Sequence, residues 1–241
     1  MNISKEIPQV SAKAKILLIA GVIAGPLFTI AWIAEGATRA NYNPLRHPVS
    51  SLALGDYGWV QSANFIVAGL LMLAFSVGLR LVLGSQKGST LGPLLIAIWA
   101  VGLIGAGIFI TDPVSGYPLG TPDLLLNPTT HGALHDWFSL PGFIALTAAC
   151  FVLGSRFAAQ GERGWAFYSF VTGVLFPVGI VLASAGFSQA ESLVNFGGLF
   201  QRTAVTAGWI WLTLLAVYLL RALSENSRNS LTKEITNDYH S

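Results

Sequence analysis

The stretch LGPLLIAIWAVGLIGAGIFIT, residues Leu91–Thr111, holds no charged residue and no side-chain amide. A run of this length spans a hydrocarbon core about 30 Å thick, which takes about 20 helical residues. Hydrocarbon offers no water to the backbone, so its N–H and C=O groups must pair within the segment, and the block must be a helix. Working outward, five further blocks repeat the pattern: Ile16–Ala34, Trp59–Leu83, Thr130–Leu153, Trp165–Gly186 and Leu199–Leu220. The prediction is an all-α, polytopic membrane protein: an N-terminal segment over residues 1–15, a six-transmembrane-helix bundle over 16–220, and a polar, disordered tail over 221–241. Lys13 and Lys15 precede the first block as they would in a signal peptide. Its apolar run is longer than the roughly 7–15 residues of a signal core, so it reads as helix one.

Composition agrees. Of 241 residues, 53% are apolar and 10% charged, against roughly 25% charged in soluble domains. A net charge of +2 is too small to indicate a nucleic-acid partner. The lone cysteine, Cys150, lies in an apolar block and has no cysteine partner in the chain. Lys and Arg concentrate on one side of the bundle: Lys5, Lys13, Lys15, Arg80, Lys87, Arg156, Arg163, Arg221, Arg228 and Lys233, against Arg39, Arg46 and Arg202 opposite. The richer side is expected to be cytoplasmic, with both termini on it and the protein multi-pass in the cell membrane. The links on the outer side are the longer ones, where function more often resides.

The outer side also gathers the polar chemistry. It carries His47, His131 and His135, leaving only His240 in the tail, together with Ser50, Asp112 and Arg202. His131 and His135 are spaced i, i+4 and share a helix face, the spacing of helical zinc sites. Asp112, ending helix three, is placed at a similar depth. The residues therefore suggest a zinc site of Asp112, His131 and His135, with His47 as substitute or extra ligand. The metal would generate a nucleophilic water. Ser50 would orient that water or the developing oxyanion, and Arg202 would hold an anionic head group. This reading makes the chain a zinc-dependent hydrolase acting on a lipid-like substrate from the outer face. Its partner would be membrane lipid, with protein partners left open. The alternative is a non-catalytic scaffold or interaction protein. There Thr129 or Thr130 is a helix N-cap, and the polar cluster only ties loops to the bundle. A solute carrier is a third reading, which would need a polar path reaching the inner side.

The run from His47 to Gly55 (HPVSSLALG), Thr111-Asp112-Pro113, and His131-x3-His135 resemble the six-helix membrane family known as domain of unknown function 998. The likeness covers roughly Lys15–Leu220. It implies a multispan membrane protein without a settled activity, in which Ser50, Asp112 and His131 are family positions. A looser likeness, in the order Ser, Asp, HxxxH, is to the alkaline ceramidase and adiponectin-receptor superfamily of zinc amide hydrolases. That superfamily has seven spans rather than six, and it carries HxxxH in its last helix.

Overall fold

The computed structural model describes residues 12–84 and 89–238. Lys5, Lys87 and His240 lie outside them, as does the side chain of Lys233. Six helices follow one another: α1 (Ala12–Thr38), α2 (Gly58–Leu83), α3 (Leu91–Ile108), α4 (Thr130–Ala159), α5 (Arg163–Phe187) and α6 (Gly197–Asp238). A short 3₁₀ helix, Val49–Ala53, lies between α1 and α2. All six helices are long and apolar enough to cross a membrane.

Helix ends depart from the apolar blocks for readable reasons. Hydropathy marks the part immersed in lipid, whereas a helix runs on until its backbone is broken. So α4 passes Arg156 to Ala159 and stops before Gly161, which has φ +82°. Likewise α6 runs to Asp238, through residues for which composition predicts a disordered tail. Extending an existing helix adds one hydrogen bond per residue fixed and needs no new nucleus. In contrast, α3 ends at Ile108 rather than Thr111, because the chain turns extended at Phe109.

Each helix packs on its neighbours in sequence, and α6 closes back on α1, so the bundle is a ring. α1 shows how the pattern is inverted relative to a soluble helix. Ile16, Ile19, Ile23, Ile30 and Ile33 are exposed, and the inward face carries Ala14, Leu18, Gly21, Ala24, Gly25 and Phe28. In lipid, apolar side chains gain nothing by hiding from the solvent, so small residues that let backbones approach decide which face turns inward. The glycines of the Gly21-x3-Gly25 motif serve two different partners. A Cβ on Gly21 would strike the Phe75 ring of α2 at 2.5 Å or more, and one on Gly25 would lie 3.2 Å from the Trp209 carbonyl of α6.

At mid-depth the ring is filled by one aromatic side chain from each helix: Phe28, Phe65, Trp99, Phe143, Phe176 and Trp209. Their ring centroids form a chain of contacts 5.2–6.2 Å apart. Such pairs contribute about 0.5–1.5 kcal/mol each beyond their contact area. Toward the short-loop end, the interior continues as a packed core containing Met72, Phe75, Leu212 and Leu215. The other end is different: three long links lie over it, and the ring beneath them is partly open.

The α2–α3 seam gives a direct test. A Cβ on Gly69 would sit 2.8 Å from the Ala100 carbonyl oxygen and 3.1 Å from the Ile104 nitrogen, whereas one on Gly164 meets nothing within 4 Å. Gly69→Ala is expected to destabilise the purified protein by about 1–3 kcal/mol, read as a lower thermal midpoint, and Gly164→Ala to leave the midpoint unchanged or slightly raised. Equal midpoints for the two variants would contradict the close α2–α3 contact.

Candidate functional site

At the long-loop end, the α3–α4 corner is held by two reciprocal caps. Thr129 is the N-cap of α4, its Oγ1 accepting from the Gly132 N–H at 3.0 Å. Asp112, just past α3, accepts from the Thr129 N–H at 2.8 Å and from the Thr129 hydroxyl at 2.7 Å. A carboxylate here also suits the positive end of the α4 dipole. In the other direction, His135 reaches from the second turn of α4 to the end of α3. Its Nδ1 lies 3.1 Å from the Ala106 carbonyl oxygen and 2.8 Å from that of Phe109. Two carbonyls at one nitrogen require a proton there, so Nδ1 donates. In the neutral imidazole, Nε2 then keeps a lone pair. His135 is only 5% exposed.

The proposed ligands therefore separate. His135 faces inward and Asp112 is occupied with capping α4. His131 is exposed and packs edge-on to the Phe109 ring at 5.9 Å. Residues at i and i+4 share a helix face only broadly; here the α3 end lies against the His135 side of that face. His47 is held elsewhere, buried in the α1–α2 link, with Nδ1 accepting from the Asn43 N–H at 2.9 Å and its ring bonded to the Ser115 backbone. Tyr42 and Tyr117 flank it at 5.5 and 5.1 Å. Among the described residues, no three His, Cys, Asp or Glu side chains are grouped to hold a metal ion.

Arg202, read from the sequence as a head-group ligand, ties the α1–α2 link to α6. It is 8% exposed. Its Nη1 donates to the carbonyls of Pro44 (2.6 Å), His47 (2.8 Å) and Gly198 (3.0 Å), and its Nη2 to the Tyr42 hydroxyl. The guanidinium also stacks on Trp32 and Tyr42, at 5.2 and 5.4 Å. Burial pushes the Tyr42 phenol up to about 12, so it keeps its proton and donates to the Pro48 carbonyl at 2.9 Å. Further ties cross the loops: Arg46 pairs with Asp123 at 2.6 Å, and the Gln201 amide oxygen accepts from the Val49 N–H at 2.8 Å.

Under these loops lies a cavity of about 330 Å³. Phe28, Phe65, Trp99 and Phe143, four of the mid-depth aromatics, form its floor. Ser50, Asp112, His135, Asp136, Ser139 and Gln201 line its polar part. Asp136, Ser184 and Ser188, with Leu124 and Pro128 of the α3–α4 link, are both lining and exposed, which places the mouth where the outer turns of α4 and α5 adjoin that link. These two helices are in ring contact from Phe151–Phe170 up to Phe143–Phe176, and beyond that pair they flank the cavity from opposite sides. Ser50 and Asp112 thus reach the cavity together with His135, while His131, His47 and Arg202 do not line it. Sequence reading passed over Ser139 and the aromatic floor. Ser139 follows His135 by four residues and so shares its face; the six aromatics, each on a different helix, leave no local signal.

The profile of the family described as "Protein of unknown function (DUF998)" matches residues 22–218, and the chain belongs to that family. No curated protein and no solved structure matches it. The likeness to the alkaline ceramidase and adiponectin-receptor superfamily finds no support.

The His135 bonds and the buried His47 each give a prediction. His135→Ala leaves the Ala106 and Phe109 carbonyls without their donor and is expected to cost roughly 1–3 kcal/mol, whereas His131→Ala should stay within about 0.5 kcal/mol of the parent. Thermal unfolding of the detergent-purified variants checks this, and an equal loss for His131→Ala would contradict its exposed placement. The second concerns pH. Burial, with help from the Arg46 charge, holds His47 below its ordinary value of 6.5, the bond to the Ser115 backbone opposing. The folded state therefore takes up this proton less readily than the unfolded chain, so the stability His47 contributes is complete above pH 6.5 and declines as pH falls below it. The difference in midpoint between parent and His47→Gln should accordingly shrink between pH 7 and pH 5; a constant difference would refute the assignment.

Proposed function

We propose that this member of the family lies in the cell membrane with its long-loop end outward and binds an amphipathic, lipid-like molecule. The head would occupy the polar part of the cavity and the apolar portion would rest on the aromatic floor. The observation that carries this reading is the cavity's composition by depth. Aromatic rings lie at the bottom, hydroxyls, carboxylates and one imidazole share the upper wall with apolar loop residues such as Val49, Val114 and Leu124, and the mouth reaches sideways to the outer turns of two helices. A molecule lying in a leaflet meets such a mouth directly, and concave, mostly apolar sites with a few fixed polar groups are the usual form of small-molecule sites. Trp99, 3% exposed, lines the floor with an indole N–H that has no protein partner among the described residues. A ligand oxygen or a water would satisfy it. The outward orientation is supported by the described basic residues, with Lys13, Lys15, Arg80, Arg156, Arg163, Arg221 and Arg228 at the short-loop end and Arg39, Arg46 and Arg202 at the other.

One observation favours a second reading, hydrolysis of the bound molecule. His135 is oriented by its Nδ1 bonds, so Nε2 is the nitrogen available to a water or hydroxyl in the cavity, as a general base requires. This reading needs no three-ligand metal centre.

The test uses the whole chain in a non-ionic amphipol, free of lipid and detergent, with a neutral dodecyl polyoxyethylene ether as probe. Saturable binding is expected, and Ser139→Trp, which fills the cavity from α4, should weaken it by about tenfold or more while leaving a cooperative thermal transition. Equal binding by Ser139→Trp, or no saturable binding to the parent, would overturn the reading. Release of fatty acid from a monoacylglycerol by the parent but not by His135→Gln would favour hydrolysis over binding alone.

A further inference from the structure

The cavity's charge goes further than its shape. None of its lining residues is Lys or Arg, and two carboxylates, Asp112 and Asp136, belong to it. Of the nearby cations, Arg202 is turned to loop carbonyls and the Tyr42 hydroxyl, and Arg46 is paired with Asp123. The helix ends leave this balance unchanged. α3 and α5 both end at the cavity, where Thr111, Phe187 and Ser188 line it, and their last carbonyls already accept from His135 and from the Ser188–Ala190 segment. The opposing positive end, that of α4, is already covered by Thr129 and the Asp112 carboxylate. α6 also begins at this end, but its lining residues, Gln201 and Val205, come a turn or more into the helix, and the Gln201 amide oxygen is engaged by Val49. His135, more than nine-tenths buried, presents Nε2 without a protein partner among the described residues. Below lie the rings of Trp99, Phe143, Phe65 and Phe28, with Phe65 6.3 Å from the His135 ring, and a cation is attracted where such a ring presents its face.

We infer that the bound molecule carries a cationic head, an alkylammonium group seated in the polar part beside Asp136 and His135, at the edge of the floor where Phe65 adjoins His135, with its alkyl portion on the rings below. This rests on the binding reading above and names the class of ligand for that same cavity. It reverses the expectation from sequence that Arg202 receives an anionic head. An anionic head here would face two carboxylates with no basic side chain among the lining residues to meet it. An ammonium group finds carboxylate, imidazole lone pair and aromatic rings within one site.

Three probes sharing a dodecyl chain separate the possibilities: dodecyltrimethylammonium, the neutral polyoxyethylene ether and dodecyl sulfate. Each is titrated below its micelle concentration into the whole chain in non-ionic amphipol, with protein-free amphipol as the blank. The ammonium probe should bind about tenfold tighter than the ether, and the sulfate weaker than the ether. Asp136→Asn, a substitution at an exposed position, should narrow the ammonium-to-ether ratio several-fold, and Ser139→Trp should abolish saturable binding of the ammonium probe. Comparable binding of all three probes, or a ratio unmoved by Asp136→Asn, would overturn the cationic assignment while leaving the binding reading intact. Preference for the sulfate would do the same. Failure of every probe to bind would overturn both.

Discussion

A backbone in hydrocarbon has to satisfy its own hydrogen bonds, and the rest of this structure follows from that requirement. It makes each apolar block a helix, and it makes helix ends the places where side chains must intervene. At the α3–α4 corner the requirement is met twice, in opposite directions. Asp112 beyond α3 serves the start of α4 through Thr129, and His135 of α4 serves the last carbonyls of α3. Neither helix can shift along the other without exposing polar backbone, so the corner sets the height of the whole polar layer. Arg202 does comparable work across the ring, collecting two carbonyls of the α1–α2 link onto the first turns of α6.

The cavity is a consequence of how the ring is filled. Six helices in a closed ring leave a space at the centre. Large rings from all six fill it at mid-depth, while toward the long-loop end the inward residues become small or polar, as at Ser139, Gly142 and Ala183. The tied loops cover that end, so the way in is the seam where α4 and α5 diverge. The same residues that stabilise the corner therefore also shape the chamber. His135 is the clearest case, with one ring nitrogen holding α3 and the other left to the cavity.

This economy explains why a polar cluster in so apolar a chain carries two kinds of significance at once. The capping half of the sequence reading, with Thr129 as N-cap, is present in the structure, and the polar groups do tie loops to the bundle. They also leave a lined, accessible space with a charge of its own. The aromatic layer beneath it bears on the carrier reading, since a polar path from this cavity to the opposite end would have to pass through six packed rings.

What the sequence by itself determined was every feature set by local composition. The six helices, their order, the concentration of long links and polar residues at one end, and a threonine cap at Thr129 or Thr130 all follow from block length, hydropathy and single-residue chemistry. Helix ends were legible only to within a few residues, because hydropathy reports immersion in lipid and not the point at which the backbone breaks. The tertiary structure alone decided which way each polar side chain turns. His131 and His135 have the same spacing rule in common, but only His135 bonds to the carbonyls at the end of α3, while His131 rests exposed on the Phe109 ring. Gly21 and Gly25 form one motif yet serve two helices, and Arg202, near in sequence to Gln201, points away from the cavity that Gln201 lines. The physical reason is that a helical repeat fixes relative angles within one helix, whereas the rotation of that helix against its neighbours depends on close contacts with residues far away in the chain.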